Sequence, residues 1–170
     1  MAKKKNYSSE TISSGHKANR TGNVLEKFVE EQLKAQGYDK HWNHKNQLFD
    51  LRKVAGGKQY GKQIICGKTI YETDRTVDFL VINKARFEHS LIIECKWQQV
   101  RGSVDEKYPF LFFNIMKTGV PTIVLIDGDG YRPEALKFLK DHASEKNALL
   151  GAWTMAEFQT QVNNGFLGPG

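Results

Sequence analysis

Apolar residues in this chain fall into short runs separated by polar stretches, and the spacing within each run predicts its element. From Gly22 to Gln36, Val24, Leu25, Phe28, Val29 and Leu33 recur at helical spacing and form one stripe. Asn23 is suited to cap this helix and Gly37 to end it. Short strands are predicted around Gln63–Cys66 and Thr69–Tyr71. Two stronger ones follow, Arg75–Ile82 and Leu91–Trp97, rich in Val, Ile, Leu and Phe. Val104–Met116 reads as a second helix and Thr122–Ile126 as a compact buried strand, closed by the turn Asp127-Gly128-Asp129-Gly130. Pro133–Lys146 reads as a third helix with proline near its start. A strand at Leu149–Trp153 and a helix at Met155–Val162 complete the chain. The pattern predicts an α/β chain whose elements follow the order αβββαβ as far as Ile126.

Charges interrupt this pattern where they are costly. Asp78 lies within the first strong strand, and Glu94-Cys95-Lys96 ends the second. Side chains alternate along a strand, so Glu94 and Lys96 share a face with Ile92 while Cys95 points the other way. The polar link Asn83–His89 is suited to a hairpin. Folding about its middle brings Asp78 opposite Glu94, Cys95 or Lys96, and an even register sets it beside Glu94 or Lys96. A cross-strand ion pair at a solvated strand end would give one polar face. Leu80, Ile82 and Ile92 on the same face argue against that and for charges that bind a metal and a phosphate. Two acids so close are expected to repel, so losing one is expected to stabilise the metal-free protein. Glu26 lies about 20° around the first helix from Leu33, at the border of the buried stripe. It could form a capping box with Asn23 or serve as an acid of the site.

Asp78, a spacer and Glu94-Cys95-Lys96 at the end of the next strand resemble the PD-(D/E)xK nuclease superfamily, the restriction-endonuclease-like α/β fold. Over roughly Asn23 to Ile126 the resemblance implies an αβββαβ core with a central mixed β-sheet flanked by helices. Val77 replaces the proline, and Gln98 extends the motif to a Glu-x-Lys-x-Gln form. The resemblance implies that Asp78, Glu94 and the Cys95 carbonyl hold Mg²⁺, for which Mn²⁺ would substitute. It implies that Lys96 acts on the attacking water and on the charge developing at phosphorus. It also favours Glu26 as a further acid at the edge of the metal site, with Gln98 as a weaker catalytic candidate. Lys45, Lys58, Lys62, Arg75 and Lys107 are the expected DNA contacts.

Composition changes the picture in one respect: the 170 residues carry a net charge of +6 with pI near 9.2, which suits a polyanionic partner. The charge gathers in residues 1–20, expected to be flexible, and between Lys40 and Lys68. There His41, Trp42, His44 and Tyr60 mix with lysines and glycines. Residues 21–165 are expected to form a single nuclease domain. Two distant cysteines and the lack of a signal peptide or spanning segment point to the cytoplasm of a bacterial or phage-infected cell. His41 and His44 lack partners for a zinc set. Gly56–Gln63 departs from a phosphate-binding loop, with Gln63 where Ser or Thr would be needed, so no nucleotide cofactor is expected. It reads as a β-turn or a DNA-facing loop. The sequence therefore predicts a Mg²⁺-dependent DNA endonuclease of restriction, phage-encoded or homing type, acting as a homodimer for double-strand cuts. A junction-resolving enzyme and a non-catalytic DNA-binding protein are the alternatives.

Overall fold

A computed structural model of the chain describes residues 24–41, 57–88, 90–99 and 107–168. The basic segment 1–20, Asn23, Trp42, His44, Lys45 and the residues preceding Lys107 lie outside this description. A helix α1 spans residues 24–35. The strands are β1 (Asp39–Lys40), β2 (Gln59–Lys68), β3 (Asp74–Ile82), β4 (Leu91–Trp97), β5 (Thr122–Asp127) and β6 (Leu149–Trp153). The further helices are α2 (Lys107–Thr118), α3 (Pro133–Asp141) and α4 (Met155–Asn163). The six strands form one sheet in sequence order. β2, β3 and β4 pair antiparallel, whereas β1 joins β2, and β4, β5 and β6 join one another, in parallel. This is the mixed, helix-flanked α/β sheet that the resemblance implies, a restriction-endonuclease-like fold.

α1 and α4 cover one face. Leu25, Val29 and Leu33 of α1 and Phe158 and Val162 of α4 pack on Phe79, Val81, Leu91, Ile93, Ile123 and Leu125. α2 and α3 cover the other, through Tyr108, Phe112, Ile115 and Leu139 against Val124 and Ile126. Val24, counted in the α1 stripe by spacing, is instead half exposed. α1 stops because Gly37 takes φ 78°, so that Gly37 N–H bonds the Lys34 carbonyl at 3.0 Å and Tyr38 N–H the Leu33 carbonyl at 3.0 Å.

Three predicted boundaries move. Gln63–Cys66 is part of the longer β2, whose start at Gln59 also makes Gln59–Gln63 strand and not loop. Thr69–Tyr71 is a turn and not a strand. The Thr69 and Thr73 hydroxyls bond at 2.7 Å, and Glu72 N–H reaches the Thr69 carbonyl at 3.0 Å with Glu72 at φ 63°. The third helix ends at Asp141, short of Lys146. Ser144 accepts a bond from Asn147 N–H, and its own N–H bonds the Leu149 carbonyl at 2.7 Å, so side-chain and strand bonds replace helical ones.

One irregularity positions the site. Tyr60 points into the α1 face and Ile64 into the opposite face, although four residues apart they should match. Phe79 and Val77 on the paired strand are likewise divided between the two faces. The switch falls at Gln63, whose φ is 52°, and at Asp78, whose carboxylate accepts from Gln63 Nε2 at 3.2 Å.

At the far end of β5, Gly128 has φ 105°, and a Cβ there would lie 2.2 Å from the Gln98 carbonyl oxygen. Gly128→Ala is therefore expected to destabilise the protein by on the order of 2 kcal/mol, read as a lower urea midpoint at unchanged m-value.

Candidate active site

The β3–β4 ladder pairs Phe79 with Ile93, Leu80 with Ile92 and Val81 with Leu91. Continued by one step, this even register sets Asp78 across from Glu94. Beyond the last rung the Asp78 side chain takes over the pairing: its Oδ2 accepts from Cys95 N–H at 2.8 Å. The same oxygen accepts from Lys96 Nζ at 3.2 Å, and Lys96 Nζ also donates to Glu94 Oε2 at 2.9 Å. Two carboxylates thus converge on one cationic point. The expected repulsion between them is overturned: the ammonium lies between them, so removing Asp78 deletes attractions. Burial opposes the Lys96 charge, but Glu94 and Asp78 outweigh it and hold the pKa above the ordinary lysine value.

The second oxygen of Glu94 is held from behind. Arg75 Nη2 donates to Glu94 Oε1 at 3.0 Å, and Arg75 Nη1 donates to the Asn114 carbonyl at 3.1 Å and to the Thr118 hydroxyl. Arg75 and Glu94 are each 4 % exposed. Arg75, expected as a DNA contact, is buried at the base of the cleft, where it ties β3 to β4 and α2 and holds the Glu94 carboxylate. Neither Arg75 in this role nor Asn114 was read from the sequence. Asn114 is buried on α2, where its Oδ1 accepts from Ile70 N–H at 2.8 Å. A polar side chain among apolar α2 residues was the available signal.

The remaining expected residues divide. The Cys95 side chain packs on the α1 face, away from Glu94 and Lys96. Burial, then Asp78, Glu26 and Glu94 against Lys96, pushes its thiol pKa well up. Gln98 is buried; its Oε1 accepts from Tyr108 OH at 3.2 Å and its N–H bonds the Asp127 carbonyl at 2.9 Å. Glu26 is not brought into contact with Asp78 or Glu94; its carboxylate lies 3.3 Å from Lys62 Nζ. Lys62 is also 3.1 Å from Glu30 and 5.2 Å from the Phe79 ring centre. Lys58 donates to the Gln36 carbonyl at 2.9 Å. Tyr60, expected among DNA-facing aromatics, is fully buried and donates to Glu30 at 2.9 Å. Lys107, at the start of α2, lines an open cleft of about 540 Å³ together with Glu94 and Lys96.

Among the described residues no three His, Cys, Asp or Glu side chains form a metal-binding group. Two hard carboxylates sharing one cation still suit a divalent ion that completes its sphere with main-chain and water oxygens. The PD-(D/E)XK nuclease superfamily domain matches residues 17–166 of the 170. The chain belongs to the PD-(D/E)XK nuclease superfamily, which suggests nuclease activity. No curated protein and no solved structure matches the chain significantly. No helix among the described residues is long and apolar enough to cross a membrane.

Two outcomes are expected from this geometry. Arg75→Met leaves a buried carboxylate short of its partner and should lower stability by about 3 kcal/mol, most of it recovered in the Arg75→Met/Glu94→Gln pair, as read by urea unfolding. Burial works against the Glu30 charge, but Lys40, Tyr60 and Lys62 lower its pKa from 4.5 to about 2. Its stabilising contribution should be complete above pH 4.5 and lost as pH falls to about 2. Wild type and Glu30→Gln should therefore converge in stability over that window.

Proposed function

We propose that this protein is a Mg²⁺-dependent DNA endonuclease that hydrolyses phosphodiester bonds at the Asp78–Glu94–Lys96 cluster. The carrying observation is the convergence of both carboxylates on the Lys96 ammonium, at 3.2 and 2.9 Å, beside an open cleft. Asp78, Glu94 and the Cys95 carbonyl would hold the cation. Bound there, it would supply Lewis-acid polarisation of the scissile phosphate and a more acidic water.

The side chains do the rest. Asp78 and Glu94, being anionic, would hold the cation and not the phosphate, and Asp78 also fixes the Cys95 main chain. We assign to Lys96 the positioning of the attacking water and the stabilisation of charge that develops on the phosphate oxygens. Arg75 keeps Glu94 in one rotamer, a positioning role. Lys107 is the described lysine suited to a phosphate next to the scissile one. Lys45, Lys58 and Lys62 remain the proposed phosphate contacts of the Lys40–Lys68 stretch; Lys62 would exchange Glu26 and Glu30, and Lys58 the Gln36 carbonyl, for phosphate. Glu26 would join the site after exchanging Lys62 for a cation-bound water. A cut through both strands would take two copies of the chain.

Supercoiled, linear, single-stranded and branched DNA incubated with Mg²⁺, Mn²⁺ or chelator test this reading. Cleavage is expected with either metal and none with chelator. Asp78→Asn and Glu94→Gln should each lower the rate by on the order of 100-fold or more. Lys96→Met should abolish cutting while DNA binding in Ca²⁺ persists. An Asp78→Asn protein that cuts at the wild-type rate overturns the assignment. DNA binding without cleavage by the wild type with either metal makes the protein a non-catalytic binder.

A further inference from the structure

Large apolar side chains are exposed on one flank of the molecule, and that flank borders the active cleft. Tyr71 is 72 % exposed, Phe113 53 %, Met116 44 % and Phe110 36 %. Phe110, Phe113 and Met116 follow one another at three-residue spacing along α2, the helix whose first residue is Lys107. Tyr71, on the β2–β3 turn, stacks on Phe110 with ring centres 5.3 Å apart and planes 24° apart. Phe110 itself lines the cleft that Glu94, Lys96 and Lys107 line.

The turn carrying Tyr71 is built to stay in place. Asn114 Oδ1 accepts from Ile70 N–H at 2.8 Å, Thr69 Oγ1 accepts from Tyr71 N–H at 3.2 Å, and Lys117 on α2 pairs with Glu72. This network contributes no side chain to the buried core clusters, so its product is the fixed position of Tyr71 beside Phe110. The cleft thus combines cationic and carboxylate groups with an aromatic wall. Its volume of about 540 Å³ falls within the range of small-molecule sites, about 300–1,000 Å³. A paired base inside a double helix offers its edges, with both faces already stacked. An aromatic surface next to phosphate-binding groups suits a base whose face is free.

We infer that the cleft accepts a nucleobase outside any duplex, stacked against Phe110, the ring that Tyr71 braces, so that the preferred substrate is DNA with unpaired nucleotides beside the scissile phosphate. The inference rests on the nuclease reading of Asp78, Glu94 and Lys96 and specifies the substrate of that site.

The test measures binding in Ca²⁺ by fluorescence anisotropy on three DNAs of equal length: single-stranded, fully paired, and paired with a single-stranded flap. Wild type is expected to prefer the single-stranded and flap DNAs. Tyr71→Ala and Phe110→Ala should each lower the ratio of single-strand to duplex affinity by on the order of tenfold. Tyr71→Phe, which keeps the stacking face, should retain it. Unchanged circular dichroism and unfolding midpoints serve as the folding control, and Tyr71 is exposed enough that truncation leaves the core intact. Equal affinity of the wild type for all three DNAs overturns the inference while the nuclease reading stands on its own cleavage assay. An unchanged ratio in both alanine variants also overturns it. So does a dimer-to-monomer shift in sedimentation with no change in DNA preference, which would make the flank an interface between copies. Failure of the wild type to bind any DNA overturns both readings.

Discussion

Four charges of alternating sign run through the centre of this molecule. Arg75 meets Glu94 at 3.0 Å, Glu94 meets Lys96 at 2.9 Å, and Lys96 meets Asp78 at 3.2 Å. The inner end is sealed under α2, and the outer end is partly open, Lys96 being one-third exposed at its side chain. Isolated ions in such a setting would be expelled or neutralised, so each is tolerated because the next one is there. The rest of the architecture follows from keeping this line intact. The Asn114 carbonyl and the Thr118 hydroxyl fix α2 against Arg75, and Cys95 N–H fixes Asp78 where the ladder ends. The four formal charges sum to zero, so each is balanced within the line.

The sheet and its helices were legible because their signals are repetitive. Leu25, Val29 and Leu33 at helical spacing, and the apolar runs Val77–Ile82 and Leu91–Ile93, each state the same burial several times. Asp78 and Glu94-Cys95-Lys96 stood out as charges against that background; the hairpin left Asp78 opposite Glu94, Cys95 or Lys96, and the observed ladder, continued by one step, sets it across from Glu94. What could not be read depends on single bonds between distant residues. Arg75 resembles any exposed cation until Glu94, Asn114 and Thr118 are known to surround it. Lys62 and Tyr60 looked suited to DNA because nothing in their neighbourhood announces Glu30 on α1. The Thr69–Tyr71 turn was mistaken for a strand because β-branched residues favour strands. Their hydroxyls can equally close a turn, and here they do.

The α2 helix joins these two kinds of residue. Its buried side, through Tyr108, Phe112 and Ile115, belongs to the core, and its flank carries the exposed aromatics. Asn114 lies between them and reaches both Arg75 and the β2–β3 turn. The helix therefore transmits the position of the buried arginine to the rim of the cleft.

The change of face at Gln63 and Asp78 shifts the alternation of the β2–β3 hairpin by one residue, so that Leu80 and Ile82 of its near half share the side of Ile64 and Val77. Tyr60 and Phe79 are keyed into the layer of α1 and α4; Ile64 and Val77 are keyed into the opposite side. The near half therefore packs into both layers and the far half, through Ile64 and Val77, into one. The residue at which the alternation shifts, Asp78, is also the acidic group held against Gln63 and Cys95 N–H.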